Sequence, residues 1–104
     1  MINLKELELV DMGLNEIPSE VFQLNALEHL DVSENNIKII PDIISRLQFL
    51  EYFVAIKNQI RNIPITMKYL GNLEEIWVYD NPVFNSGDIA ANIPENTTII
   101  TSQS

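Results

Sequence analysis

The chain has 104 residues, 46% of them hydrophobic, and a formal net charge of −9 at pH 7. This length fits a single domain, 1–104, and the hydrophobic content excludes a disordered tail. No apolar run is long enough to span a bilayer, and the acidic balance disfavours nucleic acid, because negative surfaces repel phosphate backbones.

Apolar residues recur every 23 residues along the chain. An Ile-Pro pair keeps the same spacing, at residues 17–18, 40–41 and 63–64. A fixed period of this length indicates a solenoid, in which each unit buries its apolar face only against its neighbours. The main apolar columns are Leu4, Leu27, Leu50 and Leu73; Leu7, Leu30, Phe53 and Ile76; and Leu9, Val32, Ala55 and Val78.

The unit reads LxxLxLxx(N)xLxxIPxx(apolar)xxLxx, which resembles the leucine-rich repeat family in its 23-residue form. Four units, at about residues 4–26, 27–49, 50–72 and 73–95, match without insertion or deletion. The resemblance implies an α/β fold, a right-handed β-α superhelix with a parallel sheet on the concave face and short helical turns on the convex face. It also implies binding rather than catalysis, because the family is a protein-interaction scaffold.

Each unit is predicted to begin with a short strand, in which apolar residues point inward and the residues between them point outward. The chain then turns at Asn35, Asn58 and Asn81, whose amides can satisfy backbone groups in the turn. In the family these residues form an asparagine ladder. Met12 departs from it, so the first unit is either a degenerate end unit or one whose turn is held differently.

The second half of each unit is predicted to form a short helix. Pro18, Pro41 and Pro64 suit the first helical turn, because proline lacks an N–H and has a fixed φ. In the fourth unit Ser86-Gly87 replaces the Ile-Pro pair, and residues 88–92 are expected to form a looser turn. The segments with apolar residues at helical spacing are Ser19–Leu24, Asp42–Leu47 and Ile65–Leu70.

The two ends of the repeat array differ. Residues 96–102 keep the phase and are predicted to form a capping strand, with Ile99 one period after Ile76. No cap precedes Leu4. The chain is therefore either a fragment of a longer solenoid, or the edge of its first strand finds a partner.

The outward strand positions predict a binding surface on the concave face. The first two units contribute acidic residues, including Glu8 and Asp31, whereas the third and fourth contribute apolar and aromatic ones. Exposed aromatic clusters are typical of interaction sites, although cross-strand packing alone also explains them. The predicted partner-binding residues are Tyr52, Val54, Ile56, Trp77, Tyr79, Glu8 and Asp31.

Other polar residues give weaker indications. His29 is the single histidine and is interpreted as a solvated strand residue. Glu28, Glu51 and Glu74 share one repeat position, where calcium is conceivable but a solvated acidic face is favoured. No metal site, cofactor, phosphate loop or nucleophile motif is predicted, and the chain is not expected to be an enzyme.

The leading functional hypothesis is a non-catalytic module that binds a protein or peptide. The acidic surface would attract a basic segment, although solubility alone also explains the charge. The alternative is a structural or self-associating segment, either a homodimer or part of a longer solenoid. The sequence has no cysteine, whereas extracellular members of the family usually carry cysteine-rich caps. A cytoplasmic location is therefore expected, with a secreted effector left open.

Overall fold

The computed structural model describes residues 3–85 and 89–101 of the chain. Within them, five short strands form one parallel sheet in sequence order, and 3₁₀ helices connect them. The strands are β1 (Glu6–Glu8), β2 (His29–Asp31), β3 (Tyr52–Val54), β4 (Glu75–Trp77) and β5 (Thr98–Ile100). The helices are η1 (Ser19–Gln23), η2 (Asp42–Arg46), η3 (Ile65–Tyr69), η4 (Pro82–Asn85) and η5 (Ile89–Asn92).

Successive strands pair in the register that the repeat predicts. Leu7 is opposite Leu30, and Leu30 is opposite Phe53 on the next strand. Ile76 is opposite Ile99, so the predicted terminal strand is present as β5. The prediction for this segment extended to residue 102, which lies outside the described residues. The parallel sheet therefore continues through all four repeats and into the terminal segment.

The inward strand residues form the centre of one contiguous apolar core. Leu30, Phe53 and Ile76 are completely buried between neighbouring repeats. Burial of a side chain of this size contributes about 1.5–3 kcal/mol. Leu7 and Leu9 pack against the same core but are only partly buried, because among the described residues only β2 lies beside β1. The predicted strand phase is confirmed.

The asparagine ladder connects each turn to the preceding one. The Asn58 side-chain oxygen accepts a hydrogen bond from Ile37 N at 3.0 Å, and its Nδ2 donates to Val32 O at 3.1 Å. Asn81 repeats this pattern one period later, with Ile60 N as the donor to its oxygen at 3.0 Å. The side chains are buried, so these bonds replace contacts with water that the turn has lost.

The turn at Met12, where the asparagine column is interrupted, is held by the same backward reach. The Asn35 oxygen accepts hydrogen bonds from both Met12 N and Leu14 N at 3.0 Å. The turn of the first repeat is therefore held by the second repeat, and a side chain at position 12 has no described turn before it to hold. Met12 is accordingly 59% exposed.

The connecting helices are 3₁₀ helices of four or five residues. Ile44 in η2 and Leu47 directly after it are both buried, and the threefold 3₁₀ geometry puts residues three positions apart on one face. The prolines lie directly before η1, η2 and η3, not in their first turn as predicted, with ψ angles of 135°, 154° and 141°. Their carbonyls accept the first helical bond, as Pro41 O does from Ile44 N at 3.1 Å.

Positive φ angles recur once per repeat, directly before the ladder position. In the described residues other than glycine they occur at Asp11 (55°), Glu34 (58°), Lys57 (57°) and Asp80 (59°). A left-handed conformation at an L residue costs about 1–2 kcal/mol. It recurs in the turn after each of the first four strands, directly before position 12 and the ladder residues Asn35, Asn58 and Asn81, so the turn geometry maintains it. In the fourth repeat, Ser86, Gly87 and Asp88 lie outside the described residues. Of the looser turn expected over residues 88–92, residues 89–92 form η5.

Candidate concave binding site

Outward residues of β2, β3 and β4, together with Ile56 and Tyr79 just after β3 and β4, line a trough of about 550 Å³ on the concave side of the sheet. Pockets that take small ligands or side chains have volumes of about 300–1,000 Å³. The trough brings together the five predicted apolar and aromatic residues and Asp31. Its lining consists of His29, Asp31, Tyr52, Val54, Ile56, Glu75, Trp77 and Tyr79.

Two residues of this trough are less accessible than the sequence predicted. Val54 and Tyr79 are each only 9% exposed, so the expectation of a fully exposed patch is wrong for them. Large side chains on neighbouring strands cover each other, as the cross-strand packing alternative requires. Tyr52, Ile56 and Trp77 remain partly exposed and supply the accessible apolar surface.

The trough is separate from the solenoid core. Among the described residues, Val54 and Tyr79 are the two buried apolar side chains that do not belong to the contiguous core. The alternation of strand side chains puts them on the opposite side of the sheet from Phe53 and Val78. Apolar side chains therefore cover both faces of β3 and β4, whereas the outward residues of β1 are acidic.

Trp77 is held in place by its own strand. Its indole Nε1 donates a hydrogen bond to Glu75 Oε1 at 2.9 Å. The two residues are two positions apart, so both side chains stand on the concave side. This bond satisfies the polar atom of the indole and leaves the ring itself for apolar contact.

Carboxylates surround one side of the trough and give it a negative potential. The carboxylate of Glu74, followed by partial burial and the carboxylates of Glu75 and Glu51, raises the pKa of the Tyr52 phenol. Partial burial also raises the pKa of Glu51, and the neighbouring Glu28 and Glu74 add to this effect. The predicted acidic column is thus close enough for its members to repel one another.

Glu8 lies beyond the trough but directly opposite Asp31 in the sheet register. Asp31 Oδ1 accepts a hydrogen bond from Ser33 N at 2.9 Å, which orients the carboxylate. In the described part of the chain the single ion pair joins Lys5 Nζ to Glu28 at 3.9 Å. Neither Glu8 nor Asp31 is therefore paired with a cationic side chain among the residues that the structure describes.

Two trough residues had no predicted role in binding. His29 packs against Tyr52 with ring centroids 5.9 Å apart, and Glu75 orients Trp77. Both occupy the outward column that contains Tyr52, so the repeat phase was sufficient to locate them. Within residues 3–85 and 89–101, no group of three histidine, cysteine or acidic residues could hold a metal ion, and no helix could cross a membrane.

Comparisons with known proteins agree with this architecture. A family model described as "Leucine rich repeat" matches residues 2–60, more than half of the chain. The chain belongs to the leucine-rich repeat family. A solved leucine-rich repeat protein of Leptospira interrogans is similar to it, with a TM-score of 0.84 and 27% sequence identity. That match covers 93% of this chain and 25% of the Leptospira chain.

The leucine-rich repeat chain thus spans about a quarter of the length of that solved relative. No curated protein matches its sequence. Membership in the leucine-rich repeat family supports a protein-interaction repeat module in general, and the family is typically a non-enzymatic scaffold. It does not specify the partner, because function in such folds depends on the residues of the individual surface.

Proposed function

We propose that the chain binds a protein or peptide in the concave trough. The observation that carries this proposal is the apolar lining on the outward side of β3 and β4, which is not part of the core. Core stability gives no reason for Trp77 and Ile56 to occupy outward strand positions. A bound segment that covers them would bury apolar surface worth about 25 cal/mol per Å².

The acidic surroundings favour a partner segment with positive charge. The net charge of −9 attracts cations over a distance of about one Debye length, roughly 8 Å at physiological salt. It also disfavours nucleic acid and anionic membrane surfaces as partners. We propose no catalytic role, since the trough contains no cysteine and its single histidine packs against Tyr52.

Self-association is the second candidate. The exposed Leu4 and the partly buried Leu7 and Leu9 at the β1 end favour it, because another repeat or another copy would cover them. Charge opposes a head-to-tail arrangement. Residues 1–34 carry eight acidic side chains and residues 71–104 carry five with no basic ones, so the two ends repel each other. We therefore propose binding of a foreign partner as the main function.

Two further parts of the proposal concern organisation and location. The four repeats and β5 are proposed to act as one domain, because the apolar core is contiguous from Ile17 to Ile93. The absence of cysteine favours the cytoplasm, where thiols stay reduced. Expression in cells with a fluorescent tag would test the location.

The proposed function is tested by capture from an extract of the native host. The wild type is compared with Trp77→Ala and with the double variant Glu8→Lys/Asp31→Lys. Tyr69→Ala is the matched control, because Tyr69 is an aromatic residue on the convex side that is 70% exposed. We expect a protein that the wild type and Tyr69→Ala retain and that both concave variants lose. The same captured proteins for all four would contradict the concave site.

A parallel measurement separates the two candidate functions. Light scattering over a range of concentrations gives the molar mass of the free chain. A monomer of about the sequence mass, 11.9 kDa, favours a foreign partner. A dimer that Trp77→Ala dissociates would instead assign the trough to self-association.

A further inference from the structure

The central outward column of the sheet has a fixed chemical order. The register aligns Glu8 with Asp31, Asp31 with Val54, and Val54 with Trp77. Ile100 continues the column on β5. A segment that crosses the strands along this column therefore meets two carboxylates first and apolar side chains afterwards.

The apolar half of this column is the floor of the trough, and its accessible part is centred on Trp77. The indole N–H is already bonded to Glu75, so the ring offers an apolar face and no free donor. Val54 next to it is almost covered, which makes the floor continuous between β3 and β4. A large aliphatic or aromatic side chain fits this floor better than a polar one.

The acidic half of the column has no cationic partner among residues 3–85 and 89–101. Glu8 and Asp31 face the same side of adjacent strands, which lie about 4.8 Å apart, and like charges in such pairs are destabilising. The Ser33 N–H holds one oxygen of Asp31, which limits the freedom of that carboxylate to turn away. A guanidinium matches two neighbouring carboxylates better than an ammonium, because its donors form a planar fork.

The strand spacing sets the distance between the two halves. Asp31 and Trp77 are two strands apart, about 10 Å, and Glu8 and Trp77 are three strands apart, about 14 Å. An extended peptide advances about 3.3 Å per residue, so three or four residues cover this distance.

From these relationships we propose the partner chemistry of the trough, and this inference rests on the proposed concave-face function. The trough takes an extended peptide segment in which an arginine lies three or four residues from a large apolar residue. The arginine bridges Glu8 and Asp31, and the apolar side chain packs on Trp77. The order of residues along the column places the arginine over β1 and β2 and the apolar side chain over β4.

The test is selection from a random dodecapeptide library displayed on phage, with the 104-residue chain as the target. Selected peptides are read for residue types and spacing, and their affinity for each variant is measured by the fluorescence anisotropy of a dye attached to the peptide. In the wild type the emission of Trp77, the single tryptophan of the chain, also reports contact with the trough. We expect enrichment of arginine three or four residues from leucine, phenylalanine or tryptophan. Binding should change the Trp77 emission and weaken at least tenfold between 50 and 500 mM salt.

The charge-swap variant Glu8→Lys/Asp31→Lys gives the sharper version of the test. Selection on this variant should enrich aspartate or glutamate at the same spacing from the apolar residue. A matched swap on the convex side, Glu16→Lys/Glu20→Lys, should select the same arginine-containing peptides as the wild type. Circular dichroism melts establish that each variant is folded before selection.

The outcomes distinguish this inference from the proposed function. Peptides that need Trp77 but carry no basic residue, or that ignore the charge swap, would overturn the arginine assignment and leave the concave site intact. Peptides that bind Trp77→Ala as tightly as the wild type would overturn both. A library that yields no binder to the folded chain would also count against the arginine assignment.

Discussion

The side-chain oxygen of Asn58 accepts a hydrogen bond from the Ile37 amide at 3.0 Å, so a residue of the third repeat holds the turn of the second. The amide nitrogen of Asn58 also reaches Val32 O in the second repeat. Each ladder asparagine therefore belongs structurally to two repeats, and the ladder couples the stability of one repeat to that of the next.

Replacement of a ladder asparagine should be costly in the middle of the array. Asn58→Ala leaves the Ile37 N–H without its partner in a buried turn, and we expect a loss of about 3 kcal/mol in unfolding free energy. Met12→Ala is the control and should cost less than about 0.5 kcal/mol, because Met12 is exposed. Urea denaturation measures both unfolding free energies. Equal losses for the two variants would contradict a stabilising role of the asparagine ladder.

Adjacent residues of β2 should respond oppositely to a change of polarity. Leu30→Asp puts an unpaired carboxylate into the completely buried core and should cost more than about 4 kcal/mol, enough to unfold the chain. Asp31→Leu loses only the bond from Ser33 N and should cost about 1 kcal/mol. Thermal melts of the two variants test the strand phase, which would be wrong if Asp31→Leu were the more harmful.

The neighbouring carboxylates of Glu28, Glu51 and Glu74 should make the stability of the folded chain depend on pH. The folded-state pKa of Glu51 lies above its ordinary value of 4.5, so the folded chain holds this proton more tightly than the unfolded chain. Stability from this group is therefore present at low pH and is lost as the pH rises through the folded pKa. Glu51→Gln cannot ionise, so it should melt at a higher temperature than the wild type at pH 7.

The same comparison at pH 4 supplies the contrast. At pH 4, below the ordinary pKa, Glu51 is mostly protonated in both states of the wild type, so the melting advantage of Glu51→Gln should be much smaller than at pH 7. Glu16→Gln is the matched control, because it makes the same change at an exposed position of the first repeat. An advantage of Glu51→Gln that is equal at pH 4 and pH 7 would contradict relief of carboxylate repulsion as its cause.

The sequence was sufficient to predict the strand register, because the 23-residue period puts Leu7, Leu30 and Phe53 in one column and the structure pairs them. It could not predict the left-handed conformation of Lys57, since lysine does not favour positive φ and the residue type at this repeat position varies between acidic and basic. That conformation follows from the geometry of the turn and not from the residue type.

The candidate site was only partly predictable for a similar reason. The outward phase identified Val54 and Trp77 as concave residues, and the trough contains both. The burial of Val54 depends on how the side chains of neighbouring strands pack around it. The repeat alignment identifies those residues but not their packing. The bond between Trp77 and Glu75 likewise depends on a rotamer, although their two-residue spacing made it possible.

The central claim is that the trough around Trp77 is where a partner binds. The most direct test is the equilibrium dissociation constant of the partner captured by the wild type, measured for wild type, Trp77→Ala and Tyr69→Ala. Loss of a central aromatic anchor should cost about 2 kcal/mol or more, which is roughly a 30-fold weaker affinity. Tyr69→Ala should stay within about threefold of the wild type. An unchanged affinity for a folded Trp77→Ala variant would contradict the claim.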